Sequence, residues 1–72
     1  MAQSLCPGKV SWPELLGADG ETAAATIEKE NSLVKAVILL KGSPITDDFV
    51  CTRVRVFVDK SGIVVFLVPK AG

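Results

Sequence analysis

The chain has 72 residues, 49% of them hydrophobic, and eight basic side chains balance eight acidic ones to zero net charge. That describes one domain near the lower size limit for a single core, and its apolar content excludes the polar, highly charged composition of a disordered chain. No basic field is present for nucleic acid, and no apolar run approaches the ~20 residues of a membrane-spanning helix.

In chain order, the first five residues, Met1 to Leu5, carry neither a basic segment nor a following apolar stretch. No secretory signal is therefore expected; the chain is either made without one or is a mature form behind an added Met. Residues 1–12 read as an extended arm, with a turn at Pro7-Gly8. Trp12, the only Trp, is expected in the core. Asp19 offers a side-chain acceptor to a helix beginning at Gly20. Ala23 to Glu30 supports that helix by its alanine content, and Glu21 by its charge in the first turn. Ala23, Ala24 and Ile27 make a narrow apolar stripe, and Asn31 a terminator.

Leu33 to Leu40 is β-branched and almost continuously apolar, which fits a mostly buried strand. Arg53 to Asp59 alternates cleanly, with Val54, Val56 and Val58 on one face and Arg53, Arg55 and Phe57 on the other. After a turn at Asp59-Lys60-Ser61-Gly62, Ile63 to Val68 is predicted as a third strand, stopped by Pro69. Between the first two strands lies a connection containing Gly42, Pro44 and the adjacent carboxylates Asp47 and Asp48. A loop that long in so small a domain is usually functional.

Catalysis finds little support. The chain has no His to serve as a base, and no catalytic residue is assigned. Cys6 and Cys51 are too few for a zinc site, and two neighbouring carboxylates alone bind divalent ions poorly; neither a metal nor another cofactor is expected. The two cysteines are either separate buried thiols or one disulfide joining the arm to the middle of the chain; a switch through the same pair is a further reading. Arg53 and Arg55, two apart on a strand, project to one side. If the loop folds back over them they can donate charge-assisted hydrogen bonds to Thr46, Asp48 or loop carbonyls; otherwise they are solvated strand residues.

From Trp12 onward the chain resembles the potato inhibitor I family of serine-protease inhibitors. The resemblance rests on Trp12-Pro13-Glu14-Leu15-Leu16-Gly17, the helix to Asn31, Gly42-Ser43-Pro44-Ile45-Thr46, Phe49, Arg53-Val54-Arg55-Val56-Phe57-Val58 and the ending Val68-Pro69-Lys70-Ala71-Gly72. It implies an α+β fold over 1–72: one helix packed on a small mixed β-sheet, with a long exposed protease-binding loop at about 41–52. It implies a reactive bond between Asp47 and Asp48, a protease-contacting segment Ser43, Pro44, Ile45, Thr46, Asp47, Asp48 and Phe49, and a support made by Thr46, Asp48, Arg53, Arg55 and Gly72. The plant branch carries a cysteine pair placed like Cys6 and Cys51, which implies a disulfide. A plant protein, secreted, vacuolar or cytosolic, acting as a monomer on a serine protease is the resulting expectation.

The chain departs from that pattern at Asp47, the primary specificity position, where relatives often carry Met, Leu, Lys or Ala. An aspartate in trypsin's acidic pocket or chymotrypsin's apolar slot would be an unpaired buried charge. Subtilisin-like or acidic-residue-selective proteases are therefore the expected partners. Val50 and Thr52 stand where plant relatives often have Arg and Asp. The alternative is a defence or storage protein that keeps the fold without inhibiting.

Overall fold

A computed structural model describes residues 6–65 and 68–72. A single 3-10 turn, Pro13–Leu15, follows Trp12 and precedes helix α1, Gly20–Glu30. Asp19 caps α1: its Oδ2 accepts the amides of Glu21 and Thr22, both at 3.1 Å. Asn31 closes it, its amide donating to the Ile27 carbonyl. Among the described residues no helix is long and apolar enough to cross a membrane.

The sheet contains β1 (Lys35–Leu40), β2 (Arg53–Val58) and β3 (Lys70–Ala71) in that spatial order. β1 runs parallel to β2, from Lys35 opposite Arg53 to Leu40 opposite Val58, while β3 is antiparallel to β2. The sheet is mixed, as the resemblance implies. Parallel neighbours cannot be joined by a hairpin, so the chain leaving Leu40 must travel back along the whole pair before entering Arg53. Residues 41–52 make that return without a helix or strand of their own.

β2 is the central strand, and its alternation separates the two sides of the sheet. Val54, Val56 and Val58 enter a core with Trp12, Leu15, Ala23, Ile27, Val34 and Val64. α1 covers this face at short range. A methyl group added to Gly20 would lie 2.7 Å from Val58 Cγ1 and 3.2 Å from the Gly62 carbonyl oxygen, so glycine is required by close approach. Arg53, Arg55 and Phe57 turn to the opposite face.

Two strand expectations need correction. Leu33 to Leu40 is not mostly buried: Leu33 and Leu40 are 57% and 54% exposed, and Val37 and Ile38 are exposed too. β1 is an edge strand with a neighbour on one side only, and its outer rim stays open to solvent although α1 packs on it. The continuous apolar run thus reads the parallel pairing correctly and the burial wrongly. Nor does a strand fill 63–68. Ile63 and Val64 form isolated bridges to Asp19 and Val58, Phe66 and Leu67 lie outside the described residues, and β3 follows Pro69 instead of ending before it. Pro69 has no amide to donate, yet its carbonyl accepts the Trp12 amide at 2.9 Å, and pairing starts at the next residue.

The described part of the N-terminal arm is fastened at several places. Ala71 donates its amide to the Val10 carbonyl. The buried Asn31 donates from Nδ2 to the carbonyls of Pro7 (3.1 Å) and Lys9 (2.9 Å) while its Oδ1 accepts the Leu33 amide. Lys9 Nζ bridges Glu14 and Glu30 at 2.7 and 2.8 Å and stands 5.6 Å from the Trp12 ring centroid. Glu30 also receives the Trp12 indole N–H at 2.9 Å. The hydrogen bonds from Lys9 hold both carboxyls below their ordinary range and raise Lys9 in return.

Candidate functional site

The return segment 41–52 begins at Gly42, whose φ of +90° is a left-handed conformation that glycine adopts without strain. The Ser43 amide bonds the Leu40 carbonyl at 2.9 Å. From Pro44 to Phe49 the chain is exposed and makes no regular structure, with Ile45 and Phe49 at 53% and 65% exposure.

Beneath this segment lie the two arginines of β2. Arg53 Nη2 donates to the Asp48 carbonyl at 2.9 Å, and its Nη1 stands 3.3 Å from Asp48 Oδ2. Its Nε donates to the Gly72 oxygen at 2.8 Å. Arg55 Nη2 donates to Thr46 Oγ1 at 2.7 Å and lies 3.9 Å from Asp48 Oδ1. The arginine side chains are only 21% and 16% exposed against 55% for Asp48. The supports are thus partly shielded while the supported residue faces outward. The Thr46 hydroxyl, and after it Arg53, hold the Asp48 carboxyl down at about 2.

The structure therefore brings Thr46, Asp48, Arg53, Arg55 and Gly72 into one cluster, and leaves Ser43, Pro44, Ile45, Asp47 and Phe49 on the outer course of the loop. Asp47 sits at the bend between the two held residues. Asp47 and Asp48 do not act as a pair: one carboxylate is engaged from below, and none of the ion pairs seen involves the other. Among the described residues, no group of three or more His, Cys, Asp and Glu could hold a metal ion. At the far end, Cys6 and Cys51 form a disulfide, which resolves the reading left open by the residues alone. It fixes the loop's exit to the arm, two residues before the strand that carries both arginines.

Two contacts have no counterpart in the sequence reading. The Phe49 ring packs against Gly72, where an added methyl would lie 3.4 Å from Cε1. Asn31 fastens the arm as well as ending the helix. An Asn at a helix end signals the cap alone; its two outward amide hydrogens were the remaining clue.

The family model of the potato inhibitor I family matches residues 3–72. The chain is 58% identical over 62 residues to an inhibitor of trypsin and Hageman factor from Cucurbita maxima, covering 86% of this chain and 91% of that protein. It is 57% identical over 61 residues to a Glu S. griseus protease inhibitor from Momordica charantia, covering 85% and 90%. The crystal structure of a bitter gourd trypsin inhibitor superposes with a TM-score of 0.89 at 52% identity, over 93% of this chain and 97% of that one. An α+β scaffold of one helix on a small mixed sheet is thus that of a class of plant protease inhibitors. This chain belongs to the potato inhibitor I family.

Proposed function

We propose that the chain inhibits serine proteases by presenting residues 43–49 as a substrate that is captured quickly and cleaved slowly, with the reactive bond between Asp47 and Asp48. The observation that carries this reading is the division of support across that bond: Arg55 holds Thr46 on one side, and Arg53 holds Asp48 on the other. A loop already held in an extended shape avoids the ordering entropy that a free peptide loses on binding. If the bond is cut, the segment beginning at Asp48 remains tied through Arg53 and, beyond Phe49 and Val50, through Cys51. The new amine stays beside the acyl-enzyme, and religation competes with hydrolysis.

Asp47 sets the expected target. The relatives named for trypsin pair that name with the same scaffold, but an aspartate suits no acidic or closed apolar pocket. Subtilisin-like enzymes and enzymes selective for acidic residues fit it better, and the Momordica relative, named for a Glu protease, supports the second class. The test is a titration of subtilisin and of a glutamate-selective protease, followed by mass mapping of the recovered chain. Stoichiometric loss of activity with a single cut between Asp47 and Asp48 is expected. Full protease activity at micromolar concentrations of the chain, or a cut elsewhere, would overturn the assignment.

A further inference from the structure

Behind the loop, on the sheet face opposite α1, a hollow of about 160 Å³ is bordered by Ile45, Phe57, Val68, Ala71 and Gly72, and by Arg55 and Lys70. Its lining is almost wholly apolar, and Ile45 does not fill it, being half exposed. The two cations are direct cross-strand partners, Arg55 on β2 opposite Lys70 on β3. Like charges placed directly opposite in an antiparallel pair repel. Arg55 directs one nitrogen at Thr46 and lies 3.9 Å from Asp48 Oδ1, so it is partly compensated. Among the described residues the Lys70 ammonium makes no hydrogen bond or ion pair. The Gly72 oxygen accepts from Arg53 and makes no hydrogen bond to Lys70.

An apolar hollow whose border carries two facing cations, Arg55 partly compensated and Lys70 without a partner among the described residues, is complementary to a small molecule with an apolar body and one anionic group. We infer that this hollow is a binding site for a small aromatic carboxylate, its ring against Phe57 and Ile45 and its carboxylate at Lys70 and Arg55. The size agrees: a cavity of about 150 Å³ accepts a benzene ring. Occupancy joins Ile45 of the loop to Phe57 of the sheet, so the ligand becomes an additional brace for the segment preceding Thr46. The site does not depend on which protease, if any, the loop engages.

The experiment is a titration of the isotope-labelled chain with benzoate, followed through backbone amide resonances, with benzamide as the neutral control. Saturable shifts concentrated at Ile45, Phe57, Lys70 and Ala71 are expected, with a dissociation constant on the order of 1 mM for so small a ligand. Slower amide exchange at Ile45 should accompany them. Benzamide, and benzoate on Lys70→Gln, should each bind about tenfold more weakly, as expected for one lost charge-assisted contact. Three results each overturn the proposal: no saturable shift at about 20 mM benzoate, shifts centred elsewhere, or equal affinity for benzamide. The benzamide comparison uses the unaltered chain, so the conclusion does not depend on the variant folding.

Discussion

Replacing Arg53 by Ala should convert a slowly cleaved loop into a faster substrate, more than the same change at Arg55. Arg53 makes two bonds to the loop, at the Asp48 carbonyl (2.9 Å) and carboxylate (3.3 Å), beside one to Gly72 (2.8 Å), while Arg55 makes one at Thr46 (2.7 Å). A partly exposed bond of this kind contributes about 0.5–1 kcal/mol net. Losing two raises the population of the open loop roughly 5- to 30-fold, and losing one about 2- to 5-fold. The Arg53 variant also frees the leaving segment itself, so cleavage accelerates further where release limits turnover. The assay is the rate of appearance of cut chain with stoichiometric protease, read by mass, beside amide exchange at residues 46–49. The thermal midpoint should move little, because neither arginine contributes to the Val54, Val56 and Val58 face. An Arg53→Ala chain that survives its protease as long as the parent, or an Arg55→Ala chain that fails faster, would refute the assignment of supports.

Asp47→Lys should gain trypsin inhibition and Asp47→Leu chymotrypsin inhibition; equal inhibition constants for all three forms would remove Asp47 from the primary specificity position. The Asp48 carboxyl, held at about 2 against an ordinary 3.8 by Thr46 and then Arg53, favours the folded loop when ionised. That contribution is complete above pH 3.8 and lost as pH falls through about 2. A carbon-detected titration of Asp48 should therefore show its midpoint near 2 with loop exchange rising below it, and a midpoint near 3.8 would contradict the network. Reducing Cys6–Cys51, separated by 45 residues, should cost about 4 kcal/mol by the chain-entropy model, measured as the change in denaturant midpoint under reducing conditions. Ile27→Val, deleting one methylene from a fully buried site, should cost about 0.5–1.5 kcal/mol and leave amide protection of residues 46–49 relative to global stability unchanged.

The elements with strong local chemistry were legible. Asp19 as a cap, Asn31 as a terminator and the valine alternation of β2 follow from side-chain type and spacing alone, and each stands where the sequence put it. Burial of β1 was not legible, because an apolar run looks the same at the centre of a parallel sheet and at its edge; only the number of neighbours distinguishes them. The two-residue β3 was missed for a related reason. Proline reads as a stop, but Pro69 faces Trp12 and leaves the amide of Ala71 to reach Val10. At the site, the spacing of Arg53 and Arg55 forecast a shared face but not the partners. Which oxygens they meet depends on where a return segment of irregular backbone comes to rest, and no periodicity encodes that.

The parallel pairing of β1 and β2 is the fact from which the loop follows. It obliges the chain to cross from Leu40 back to Arg53 over a distance of six paired residues, and a crossing without a helix has no backbone ladder to stiffen it. Stiffness must then come from side chains below it, and the strand that receives the crossing is the one able to supply them. β2 gives its valines to the core and its arginines to the loop, so the core holds the arginine backbone still while the guanidinium groups hold the crossing. Rigidity is in this way transmitted from α1 through a single strand to the middle of the crossing segment. A helix in the crossing would have been stiffer by itself, but it would have turned the backbone away from the extended shape that a protease cleft accepts.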